Sequence, residues 1–140
     1  MLSKPRYGWT DVTLGHFTAP ASYLTDVPNE ILDALICGYK HWVNPSVTFD
    51  AEGYTYTLVL SMYDNCAYVI LEQNETSILV FDIDVDSLAY EVIEDIESDI
   101  VGWAKFYFTC NRRLRAWRLK RKTRRLRKLL ESNASTKGRY

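Results

Sequence analysis

Residues 54–62, YTYTLVLSM, alternate with a period of two: Tyr54, Tyr56, Leu58, Leu60 and Met62 fall on one side, and Thr55, Thr57, Val59 and Ser61 on the other. That alternation predicts a strand with one core face and one milder face. Glu52-Gly53 before it and Asp64-Asn65 after it supply turn chemistry. SVTFD upstream, and CAYVILEQ and SILVFDIDV downstream joined through Asn74-Glu75-Thr76, extend the pattern into an antiparallel meander of four strands. WTDVTLGHF at 9–17 adds a short N-terminal strand, which Pro20 closes. Between these β segments the period changes. Ile31, Leu35, Tyr39 and Trp42 recur at helical spacing, with Asp26 near the start and Pro28 in the first turn, predicting a first helix from about Pro28 to about His41.

The C-terminal third carries a longer stripe. Ala89, Ile93, Ile96, Ile100, Trp103, Tyr107, Cys110, Leu114 and Trp117 follow one another at alternating spacings of four and three. The stripe predicts one helix from about Ser87 to about Glu131, roughly 65 Å long at 1.5 Å per residue; a break at Thr109-Cys110-Asn111 is the alternative. Leu119, Leu126 and Leu130 form a weaker second stripe, and SNASTKGRY reads as a flexible tail. The fold class that follows is α+β: a two-layer domain in which an antiparallel meander of four to five strands is covered by helix 1 and by a long C-terminal helix with a basic extension. Residues 1–108 form the acidic α+β domain in this reading, and 109–140 the basic helical extension and tail.

Charge sharpens that division. The net charge of −1 sums two poles: residues 1–108 hold four Lys/Arg against seventeen Asp/Glu, and residues 109–140 hold thirteen Lys/Arg against one Glu. Each pole attracts opposite charge over roughly a Debye length, about 8–10 Å in cellular salt. The densest run, NRRLRAWRLKRKTRRLRKLL, places Arg112, Arg113, Arg115, Arg118, Lys120, Arg121, Lys122, Arg124, Arg125, Arg127 and Lys128 around Trp117 with no acid among them. Such a run suits the phosphate backbone of nucleic acid, with Trp117 able to stack on a base. It equally suits pairing with an acidic protein surface, in the same molecule or a neighbour, or an anionic membrane surface. Two copies packing their 89–117 seams antiparallel would set the acidic half of one against the basic half of the other, a charge pattern compatible with a homodimer.

Candidate catalytic and metal sites are weak. Asp82, Asp84 and Asp86 alternate along FDIDVD, as carboxylates sharing a divalent cation must, but acids at this place more commonly cap the helix that follows, with Asp86 or Ser87 as its cap. Cys37 and His41 stand four apart on helix 1 without a third ligand in prospect. The chain holds no Gly-rich phosphate loop, no G-x-S-x-G and no H-E-x-x-H, so neither an enzyme nor a cofactor or metal is expected. Cys37, Cys66 and Cys110 show no C-x-x-C pairing and read as reduced, buried thiols. The start of the chain lacks the apolar core of a leader, and no apolar run reaches membrane-spanning length, so a cytoplasmic protein is expected and the N-x-S/T matches at Asn74 and Asn133 carry no glycan.

The function these features suggest first is a non-enzymatic protein that inhibits or sequesters a basic or nucleic-acid-handling partner, of the kind found among immunity and phage counter-defence proteins. Asp82, Asp84, Asp86, Glu91, Glu94, Asp95, Glu97 and Asp99 would supply its negative face. The alternative is a nucleic-acid-binding protein that acts through the basic C-terminal helix.

Overall fold

The computed structural model describes residues 1–72, 76–80, 83–107 and 111–137. Its strands form two antiparallel sheets, so the expectation of a single meander carrying an extra N-terminal strand is corrected. β1 (Trp9–Leu14) and β2 (Phe17–Ser22) make a hairpin of their own, in register Leu14↔Phe17 and Val12↔Ala19. The two-residue turn Gly15-His16 has Gly15 at φ 60°, a left-handed conformation that suits the natural twist of a tight hairpin. Pro20, read as the end of the segment, lies inside β2 opposite Asp11. It is tolerated because each strand of a two-stranded sheet has an edge needing no N–H donor.

The second sheet runs β3 (Ser46–Asp50), β4 (Thr55–Ser61), β5 (Cys66–Glu72) and β6 (Thr76–Val80), in that order. The alternation in YTYTLVLSM sets its faces: Tyr56, Leu58 and Leu60 are buried, opposite Phe49, Val47 and Ala67 respectively or beside Val69. Tyr56 also ties the two sheets together, since its hydroxyl donates to the carbonyls of Ala19 and Pro20 and its ring meets Phe17 edge-on at 5.4 Å. Burial holds that hydroxyl's pKa far above the ordinary phenol value. The turn residues Asn74 and Glu75 lie outside the described residues.

Helix α1 (Val27–His41) is buried around much of its circumference, through Ile31, Leu32, Leu35, Ile36 and Tyr39 among others. Its fit on the sheet needs Gly38, where a Cβ would come within 2.9 Å of Met62 Sδ and 3.2 Å of Pro45. Trp42, expected on the buried stripe, is instead the left-handed C-cap at φ 51° and is 38 % exposed.

The single long helix predicted for 87–131 is three helices: α2 (Val85–Glu97), α3 (Ile100–Phe106) and α4 (Arg112–Lys137). The first interruption has a local cause. Asp99 leaves the helical region and its carboxylate accepts from Gly102 N at 3.1 Å, giving α3 its N-cap; a Cβ on Gly102 would collide with that carboxylate. Asn111 does the same for α4, accepting from Leu114 N at 3.0 Å. Thr109 and Cys110, the other two residues of the expected break, lie outside the described residues. α4 continues through 132–137, part of the expected tail, where no Gly or Pro intervenes before Gly138.

Once the chain turns, the stripes exchange roles. Ala89, Ile93, Ile96 and Trp103 are fully buried, but Tyr107, Leu114 and Trp117 are 40, 38 and 55 % exposed, while Leu119, Leu126 and Leu130 are buried to 2 % or less. These leucines join the same core cluster as α1, α2 and the sheet, and α4 packs against all three preceding helices. The antiparallel dimer seam is therefore not on offer: its first half is inside the molecule, and its second half is not continuous with it.

Candidate nucleic-acid interface

Three cations fasten α4 to the acidic body. Arg115, only 10 % exposed, donates through both terminal nitrogens to Asp26 at 3.0 and 2.8 Å and through Nε to the carbonyl of Ala104 at 3.1 Å. This forked contact joins the N-terminus of α1, the end of α3 and the start of α4, as a planar guanidinium can and an ammonium cannot. Lys122 pairs with Asp33 at 2.9 Å and donates to Asn29 at 3.1 Å, and Arg127 pairs with Glu97 at 2.8 Å on the opposite flank. Arg115–Asp26 and Lys122–Asp33 span the same sequence separation, 89 residues, so α1 and α4 run parallel and in step.

The remaining cations face outward. Among the described residues, Arg112, Arg113, Arg118, Lys120, Arg121, Arg124, Arg125 and Lys128 make no ion pair, and all are exposed. Most of them line an open groove of about 1070 Å³ between α4 and the exposed shoulder of α1. Lys40, Arg118, Lys120, Arg121, Lys122, Arg124, Arg125 and Lys128 line it against a single acid, Asp33, which Lys122 already engages. Trp117, Ile36, Cys37 and His41 complete the lining. Within it the Arg121 guanidinium lies over the Trp117 ring, 5.5 Å from its centroid. Lys40, His41 and Cys37 come from α1 and were not part of the basic run; their signal was the i, i+4, i+7 and i+8 spacing from Asp33, the one polar stripe on a buried helix. Cys37, expected to be buried, is exposed here, and Cys66 is partly exposed; Cys110 lies outside the described residues.

Comparison with protein-family models, with curated proteins and with solved structures found no match. The chemistry of the site therefore rests on its own geometry.

The carboxylates named as an acidic face are disposed differently from the cations. Asp84, not the expected Asp86 or Ser87, is the N-cap of α2 and accepts from Ser87 N; Asp86 instead accepts from the Tyr39 hydroxyl, and Asp99 caps α3. Burial, and next the bond to Asp86, keep the Tyr39 phenol protonated well beyond its ordinary range. Asp95 accepts from Leu2 N at 2.9 Å and lies 3.3 Å from the terminal amine, which Glu91 approaches at 3.6 Å; Glu97 holds Arg127. Among the described residues only Glu94 of this set has an uncommitted carboxylate; Asp82 lies outside them. No group of three or more His, Cys, Asp or Glu suited to a metal occurs among the described residues, and no helix of theirs is long and apolar enough to cross a membrane.

Proposed function

We propose that the protein binds nucleic acid by seating its phosphate backbone in the groove between α1 and α4. The observation that carries this reading is the imbalance within the groove: eight Lys/Arg line it against one Asp, and that Asp is already paired. A surface of this kind holds condensed counterions, and a polyanion that replaces them gains affinity from their release. Four of the eight are Arg, whose guanidinium fork matches the oxygens of a phosphate. A membrane surface is a poorer fit, because an interfacial helix must offer its apolar face to lipid and α4 has Leu119, Leu126 and Leu130 in the core.

The acidic-face inhibitor, suggested first by the sequence, receives less support, since most of the carboxylates it relies on cap helices or hold the N-terminus and α4 in place. The test is titration of the full chain against generic single-stranded and duplex nucleic acid across a salt series. The expected result is binding whose logarithm falls linearly with the logarithm of salt, with a slope of about −0.7 per contacted phosphate for a single strand and about −0.9 for a duplex. Absence of binding at low salt would remove the proposal. A chain ending at Thr109 is not a usable control, because it also deletes Leu119, Leu126 and Leu130 from the core.

A further inference from the structure

The groove carries more than charge, and the exposed aromatics in it and just beyond it indicate which form of nucleic acid it takes. Trp117 stands on the outer face of α4 with 55 % of its surface exposed, one turn before Arg121, whose guanidinium rests on the ring. Beyond the lining at the other end, next in sequence to its residue His41, Trp42 and Tyr63 form an exposed aromatic pair with centroids 5.8 Å apart. Because α1 and α4 run in step with an offset of 89, Trp117 is level with residue 28 of α1, fourteen residues from Trp42. The two aromatic sites are therefore separated by about 20 Å along the helix axes at 1.5 Å per residue. Arg121, Arg125, Lys128 and Lys40 lie between them.

Building on the nucleic-acid reading above, we infer that the groove takes a single strand, with phosphates on the central cations and bases stacked on Trp117 at one end and on the Trp42–Tyr63 pair at the other. An indole on a helix flank cannot reach a base inside a duplex without unstacking it, which costs a few kcal/mol. A single strand offers its base faces freely, and stacking on aromatics needs no particular base. The span corresponds to about six nucleotides at the 3.4 Å rise of a stacked strand. Neither contact involves the 2′-hydroxyl, so DNA and RNA strands are both ligands.

The experiment compares full-length protein and the variants Trp117→Ala, Trp117→Phe and Arg121→Ser/Arg125→Ser on labelled oligothymidylate, oligouridylate and a duplex of equal length. The wild type should bind both single strands more tightly than the duplex, with affinity rising up to about six nucleotides and flattening beyond. Trp117→Ala should lose roughly tenfold or more on single strands and almost nothing on the duplex, and Trp117→Phe should restore most of the loss. Equal loss on both substrates, or none on single strands, would overturn the stacking role while leaving backbone binding intact. Binding indifferent to Arg121→Ser/Arg125→Ser would overturn the groove itself. Trp42→Asn, which keeps a residue suited to the left-handed cap, should reproduce the single-strand loss; unchanged binding would remove the second stacking site.

Discussion

α2 and α4 are both crowded with charge of one sign, yet they use it in opposite ways. On α2 and its flanks, Asp84 and Asp99 cap helices, Asp86 holds Tyr39, Asp95 receives the chain start and Glu97 receives Arg127. Among the described residues of α4 only Arg115, Lys122 and Arg127 are tied to the body, and Arg112, Arg113, Arg118, Lys120, Arg121, Arg124, Arg125 and Lys128 stand exposed, most of them along the groove. A charged run therefore says little about function by its density. What remains after internal pairing is what a partner meets, and along the groove between α1 and α4 that remainder is basic.

The sharpest way to break this contrast is to remove α4. Ending the chain at Thr109 strips the body of a helix that closes its core, so cooperative unfolding in denaturant should be lost; a truncated chain with an unchanged midpoint would mean that α4 is an appendage. Short of deletion, Leu126→Ala removes a fully buried side chain where α4 meets the core and should cost about 2–5 kcal/mol in equilibrium denaturation. Arg115→Ala leaves Asp26 and the Ala104 carbonyl without their shared donor. Because Asp26 is still 24 % exposed, the cost should fall at about 2–3 kcal/mol, between the surface and fully buried cases. Arg127→Ala, at a pair whose partners are each about 40 % exposed, should cost under about 1 kcal/mol.

Much of the architecture was legible from pattern alone: the alternation in YTYTLVLSM fixed the faces of β4, and Ile31, Leu35 and Tyr39 fixed the inner face of α1. The error at 98–111 has a physical origin. A heptad count weighs apolar positions, so it misses Asp99 and leaves the break at Asn111 as an alternative; both side chains bind backbone N–H groups and restart the helix. After the restart the core lies on the Leu119, Leu126 and Leu130 side, so the stripe through Leu114 and Trp117 was continued onto the solvent face. The basic run was plain in the sequence as a candidate site, but its second wall was not. Lys40 and His41 become part of it only when α4 docks beside α1, and nothing local distinguishes Arg115, the buried anchor, from Arg118, the exposed one.

The smallest expected effect concerns pH at the α1–α4 contact. Burial first, then the neighbouring charges of Asp26 and Asp33, raise the pKa of Glu30 above its ordinary 4.5. A group raised on folding favours the folded state when protonated, so that contribution is present below the unfolded value and is lost as pH rises through the folded one. Glu30→Gln should accordingly raise the denaturation midpoint slightly at neutral pH, and the gain should vanish at pH values below the carboxylate range.

The measurement that most directly tests the central claim sets the two charged regions against each other in one assay. Single-strand binding is followed across a salt series for the wild type, for Arg121→Ser/Arg125→Ser in the groove, and for Glu91→Gln/Glu94→Gln on α2. The expected result is a salt slope reduced by about 1–2 for the groove variant, roughly 0.7 per lost phosphate contact, and a slope unchanged for the α2 variant. Equal slopes for the wild type and the groove variant would contradict the account, and would return attention to the acidic face.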